Sequence, residues 1–175
     1  MYIRIPKERI GAAIGPDGSV KREIEKRTGS KITFDSETGE AKIEAAADPL
    51  GALKASDVLK AISRGFSPAR AFKLFEEDQF MDVLDIRDYV GGSEKTLKRM
   101  RGRLIGEEGK ARGAMERETG THISVYGKTV AVIGTAEQIS VAREAIEMLL
   151  KGSEHTTVYR FLQRKKKMRS YGPRR

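Results

Sequence analysis

The 175-residue sequence has no cysteine and no tryptophan, and only 6% of its residues are aromatic. Without cysteine there are no disulfides, thiolate metal ligands or Cys nucleophiles, and a reducing compartment, the cytoplasm, is the default expectation. With so few aromatics, a base-stacking platform spread across a sheet is not expected. The two histidines, His122 and His155, stand far apart with no acidic residue at ligand spacing, which argues against a metal site or a Ser/His hydrolase. No carboxylate cluster of the two-metal nuclease kind is evident. Gly127-Lys128-Thr129 ends like a P-loop, but that pattern needs Gly at position 122, where His122 stands. No run is long and apolar enough to span a bilayer, and MYIRIPKERI at the start has no apolar stretch behind basic residues. The chain is therefore expected to be soluble, unprocessed, cofactor-free and noncatalytic.

What is present is positive charge, unevenly placed. The formal net charge is +9. Residues 153–175 hold eight Lys or Arg against Glu154 alone, which leaves only +2 for the other 152 residues. Basicity thus favours a polyanion partner for the tail and says little about the rest. From Tyr159 on, YRFLQRKKKMRSYGPRR reads as a helix that frays into a disordered arm able to bind phosphates without sequence preference; a solvated face is the plainer alternative.

The chain also repeats itself. Sliding it by 91 positions lays Gly11, Ile14, Gly15, Gly18, Glu25, Thr28, Gly29 and Ile32 on Gly102, Ile105, Gly106, Gly109, Glu116, Thr119, Gly120 and Ile123 without a gap. Glycines, apolar positions and basic positions stay in phase together, so the shared unit is a helix, a glycine loop, a second helix and a strand. In the first copy the pattern predicts strand 2–5, helix 7–13, helix 19–28, strands 31–34 and 40–44, and a long helix from Pro49 to about Arg64. In the second it predicts a strand within 82–90, helices 93–102 and 110–119, strands 122–126 and 129–133, and a helix over 136–151. The order is βααββα twice. Expected domains are 1–75 and 82–152, joined by an acidic linker over 76–81 and followed by a basic helix and tail over 153–175. A short extra helix is expected over 67–75, and Phe66, Phe72, Leu74, Phe75 and Phe80 suggest an interface between the two units.

Each copy carries Gly-x-x-Gly between its first two helices: Gly15-Pro16-Asp17-Gly18 and Gly106-Glu107-Glu108-Gly109. Glycines there let main-chain N–H groups approach a phosphate, and the following helix adds its positive end. One such loop is weak evidence. Here both follow an Ile, precede a basic helix and lead through Thr-Gly to an Ile strand, and this combination resembles the KH RNA-binding module, which clamps about four unpaired nucleotides in a groove. The resemblance implies an α+β fold of two tandem type I KH domains, each a three-stranded antiparallel sheet with three helices on one face. Groove candidates are Ile10, Ala13, Ile14, Ile24, Ile32 and Phe34, with Leu104, Ile105, Met115, Ile123 and Val125 as counterparts; core packing is the alternative for each.

The variable loop positions Asp17, Glu107 and Glu108 are acidic and would repel a phosphate. Behind the first loop stand Lys21 and Arg22. The second either borrows charge from Arg99, Arg101, Arg103, Lys110 and Arg112, or serves a protein contact instead. Lys95 and Lys98 extend that patch, whose plainer reading is a solvated helix face. The expected RNA-binding residues are Lys21, Arg22, Arg99, Arg101, Arg103, Lys110 and Arg112 together with Ile14, Ile105 and the eight loop residues.

The stretches Thr119–Ile123, Lys128–Gly134 and Ala142–Gly152, then His155–Tyr159, are similar to the partner-of-Nob (Dim) family of small-subunit ribosome-assembly factors, in its short archaeal form. The resemblance implies binding to the 3′ region of small-subunit rRNA near the cut made by the Nob endonuclease, and association with the α subunit of translation initiation factor two. The chain is expected to be monomeric. Eukaryotic members have a degenerate first loop and a basic second one, whereas here the first is intact and the second acidic. A general KH adaptor of RNA decay or translation, acting as a protein scaffold, is the alternative.

Overall fold

The computed structural model describes residues 1–170. The chain divides into two compact units, Met1–Gln79 and a second beginning at Phe80. In the first, β1 (Tyr2–Arg4), α1 (Lys7–Ile14), α2 (Ser19–Thr28), β2 (Lys31–Asp35), β3 (Glu40–Glu44) and α3 (Pro49–Ser63) follow in order. The sheet order is β1-β3-β2, all antiparallel. Alternation in β3 turns Ala41 and Ile43 inward, and Ile43 faces Ile32 across the ladder. Ile10, Ile24, Leu59 and Ile62 are buried in the same unit, and each such branched aliphatic side chain contributes roughly 2 kcal/mol by leaving water. Gly51 in α3 is required by contact: a Cβ there would lie 2.0 Å from the Thr28 carbonyl oxygen.

The predicted extra helix resolves into α4 (Pro68–Ala71), capped by the Ser67 side chain, and a 3-10 turn at Phe72–Phe75. Both pack on α3. The Arg27 guanidinium lies 5.5 and 4.9 Å from the Phe72 and Phe75 ring centres, so these rings serve the first unit by fastening the end of α2.

The second unit repeats the plan with β4 (Phe80–Asp85), a one-turn α5 (Arg87–Val90), α6 (Glu94–Ile105), α7 (Lys110–Thr119), β5 (His122–Tyr126), β6 (Thr129–Gly134), α8 (Ala136–Leu150) and α9 (His155–Ser170). Its sheet order is β4-β6-β5. Phe80 and Met81, placed in the linker by sequence pattern, pair with Gly134 and Ile133. The strand expected within 82–90 instead stops at Asp85. The Asp85 carboxylate accepts from the Arg87 amide at 2.9 Å and from its guanidinium at 2.6 Å, which turns residues 87–90 into a helical turn. That pairing holds the Asp85 carboxyl down at about 2.

The helix expected after residue 153 is present, and it is longer and more firmly packed than the sequence pattern suggested. Through Ser170 it is one continuous helix, packed on α7 and α8. Val158, Phe161 and Leu162 are buried and join the second core, because their i, i+3, i+4 spacing forms a stripe. The expected arm beyond it falls at 171–175, outside the described residues. Among the described residues no helix is long and apolar enough to cross a membrane.

Candidate nucleic-acid interface

The two glycine loops have the same backbone despite different side chains. Gly15 and Gly106 lie at φ/ψ of 76°/170° and 74°/173°, a region open essentially only to glycine. Gly18 and Gly109 are left-handed at 73°/16° and 74°/15°. The third loop residues, Asp17 and Glu108, are left-handed too, both with φ of 53°; such a conformation costs a residue with a Cβ about 1 kcal/mol. The first glycine is also required by packing. A Cβ on Gly15 would sit 2.4 Å from Val20 Cγ2 and 2.8 Å from the Val20 nitrogen, and one on Gly106 would sit 2.8 Å from the Ala111 Cβ and nitrogen. The second glycine of each loop meets only an arginine tip, Arg22 Nη1 at 3.0 Å and Arg112 Nη2 at 3.5 Å.

Three other helix starts are closed by side chains: Asp48 caps α3, Ser93 caps α6, and Thr135 with Gln138 forms a capping box on α8, whereas α1 and α5 start without one. Helices α2 and α7 begin at Gly18 and Gly109 with no side-chain acceptor. The first N–H of each helix, that of Ser19 or Lys110, already donates to the loop carbonyl of Pro16 or Glu107, so the loop region is offered the positive helix end and the later donors of the first turn. An anion placed there receives donors from both.

Guanidinium groups reach both loops from different sequence positions. Arg22 donates to the main-chain oxygen of Asp17, while its counterpart in the 91-residue shift is Gly113. Arg112, the counterpart of Lys21, lies over Gly109 instead, and its Nε is buried with no partner. A gap-free repeat could not show that exchange. Only the geometry places a guanidinium beside the second glycine in both units.

The groove candidates separate by depth. Ile10, Ala13, Ile24 and Ile32 are buried core residues, as are Leu104, Met115 and Ile123. Ile14 and Phe34 are half-buried. With Lys21, Lys31, Ile32 and Thr33 they line an open hollow of about 330 Å³ beside the first loop. The hollow has an aliphatic and aromatic floor with ammonium groups at its edge; Lys21 also pairs with Glu25 at 3.6 Å. In the second unit Ile105 and Val125 are half-buried at the matching positions.

The basic patch before the second loop divides by task. Arg101 donates to the Gly127 carbonyl at 2.8 Å, holding the β5–β6 turn. Arg103 donates to the Ser153 carbonyl at 2.5 Å, and His155 meets the Arg103 carbonyl at 2.8 Å, so this end of α6 fastens the start of α9. Lys95, Lys98 and Arg99 are exposed on the earlier turns, and Lys110 is exposed at the start of α7. Pro16, Asp17, Glu107 and Glu108 are exposed at the loop tips. Among the described residues no group of three or more His, Asp or Glu side chains is placed to hold a metal ion.

Comparison with known proteins agrees with this geometry. A family model for the second PNO1 KH domain, described as a eukaryotic-type, type I KH domain, matches residues 80–167, and a general KH-domain model matches residues 1–61. KH domain-containing protein MJ0443 of Methanocaldococcus jannaschii is 44% identical over 167 residues, covering 94% of this chain and 73% of that protein. The pre-rRNA-processing protein PNO1 of Chaetomium thermophilum is 34% identical over 62% of this chain, a stretch that makes up 42% of its own length. Among solved structures, Dim2p from Pyrococcus horikoshii OT3 is 48% identical with a TM-score of 0.88, covering 94% of this chain and 98% of that one. A chain of the a/eIF2α–aDim2p–rRNA complex from the same organism is also 48% identical, with a TM-score of 0.90, covering 96% and 94%. With two glycine loops of one geometry on two KH folds and these relatives, the chain belongs to the Dim2/PNO1 family of KH proteins.

Proposed function

We propose that this chain is a noncatalytic RNA-binding protein of small ribosomal subunit biogenesis, working in the cytoplasm and holding single-stranded rRNA from the 3′ region. The observation that carries the reading is the pair of superposable loops, each leading into a helix whose first N–H groups have no side-chain cap. Such a loop takes a phosphate, and the adjoining hollow takes unstacked bases against Ile14 and Phe34. The RNA-binding set is Ile14, Lys21 and Arg22 with the first loop, and Ile105, Lys110 and Arg112 with the second. Arg99 adds charge at a distance. Arg101 and Arg103 act by holding backbone.

The role of PNO1 in pre-rRNA processing and the rRNA in the Pyrococcus complex support rRNA as the ligand. The same complex supports the α subunit of initiation factor two as a partner. The Nob endonuclease stands as a partner on family likeness alone. Crosslinking in cells with nucleotide resolution tests the reading. One cluster of crosslinks in the 3′ region of small-subunit rRNA is expected, whereas recovery of many messages and no rRNA segment would favour the adaptor.

A further inference from the structure

Helix α9 carries six Lys or Arg and no acidic residue in HTTVYRFLQRKKKMRS. Two of them are engaged: Lys166 pairs with Glu118 on α7 at 3.6 Å, and Lys165 lies 5.7 Å from the Phe161 ring centre. Arg160, Arg164 and Lys167 are exposed. At 100° per residue they fall within a narrow arc on the side away from Val158, Phe161 and Leu162, forming a ridge roughly 10 Å long.

The direction of α9 gives this ridge a meaning. Its first turn is fastened to Arg103, three residues before Gly106. Its later turns lie against α7, with Lys166 on Glu118 near the end of that helix. The helix therefore starts beside the second loop and runs alongside α7, away from it. Between α7 and α9 an open hollow of about 500 Å³ is lined by Glu118, Gln163, Lys166 and Lys167.

We infer that the outer face of α9 is a second, sequence-blind RNA contact that tracks the phosphodiester backbone of a strand leaving the second glycine loop. The inference rests on the RNA-binding reading above. Charge complementarity selects the occupant: three cations of one sign on a preformed helix suit a phosphate backbone. A protein interface would need apolar anchors, and Met168 is the only large apolar side chain exposed on α9. The contact also answers the acidic second loop, because it supplies cations that Glu107 and Glu108 do not.

The test uses the full chain with Arg160→Gln, Arg164→Gln and Lys167→Gln combined, and measures binding to a 3′-region rRNA oligonucleotide and to an unrelated RNA of equal length over a range of salt. Affinity for both RNAs is expected to fall by the same factor. The loss of affinity on going from 50 to 200 mM salt is expected to shrink by roughly twentyfold, from about 0.7 in log–log slope for each of three contacts. The double variant Arg160→Lys, Arg164→Lys is expected to behave as wild type. Unchanged affinity and slope in the Gln variant, while wild type binds RNA, overturns the ridge and leaves the KH reading standing; a wild-type chain that binds neither RNA overturns both. Loss of binding to a polyglutamate peptide with RNA binding intact assigns the ridge to an acidic protein and also overturns the proposal.

Discussion

Arg22 donates to the main-chain oxygen of Asp17, so the cation behind the first loop is tied to the one residue of that loop held left-handed against its preference. The bond poises a guanidinium at the loop surface beside Gly18. Replacing Arg22 by Ala is expected to lower the salt slope of RNA binding by about 0.7 and leave thermal stability nearly unchanged. Unaltered slope in a titration series would remove Arg22 from the interface.

The two glycines of each loop are expected to fail differently. Gly15→Ala and Gly106→Ala meet the backbone of the following helix at 2.8 Å in a region only glycine occupies, so each should cost about 3 kcal/mol or more. Gly109→Ala has room, and Gly18→Ala needs only the flexible Arg22 tip to shift from 3.0 Å, so each suffers mainly the left-handed penalty, about 1 kcal/mol. Urea denaturation of the four variants orders them. Equal losses at both positions would contradict the packing argument.

Glu108 carries both strain and the wrong charge. Glu108→Gly relieves its φ of 53° and removes a carboxylate from the phosphate site, so stability is expected to rise by about 0.5–1 kcal/mol. RNA affinity is expected to rise with it. Weaker RNA binding in this variant would show that the carboxylate takes part in recognition.

Acid should loosen the start of α5. The Asp85 carboxyl is lowered to about 2 from 3.8, chiefly by the Arg87 side chain; burial opposes this, and the Arg87 amide adds a lesser lowering. A carboxyl depressed on folding stabilises above its unfolded pKa and loses that contribution as pH falls through the folded value. The loss therefore falls between about pH 4 and pH 2, and Asp85→Asn is expected to remove that part of the acid limb in a thermal-melt series. An unchanged limb would mean that the pair is solvated and idle.

The repeat, the order of elements and both glycine loops were legible because glycine, apolar and basic positions kept one register over 91 residues. Three features were not. The strand expected within 82–90 ends at Asp85, because the local turn that Asp85 makes with Arg87 sets residues 87–90 as a helical turn. A basic helix after residue 153 was expected, but its packing on the second core was masked by its charge, although Val158, Phe161 and Leu162 held a helical stripe that could have revealed it. The paired guanidiniums could not be read from alignment, since Arg22 and Arg112 occupy different registers and converge only in space.

Binding of a 3′-region rRNA oligonucleotide to Gly18→Asp, Gly109→Asp and the double variant tests the central claim most directly, because a side chain at either site meets only a flexible arginine tip. Each Asp places a carboxylate where a phosphate is expected, yet stability should change by only about 1 kcal/mol. The account predicts weaker binding in each single variant and only a residual, salt-sensitive binding through α9 in the double variant, with thermal melts close to wild type. Wild-type affinity in a folded double variant would contradict it.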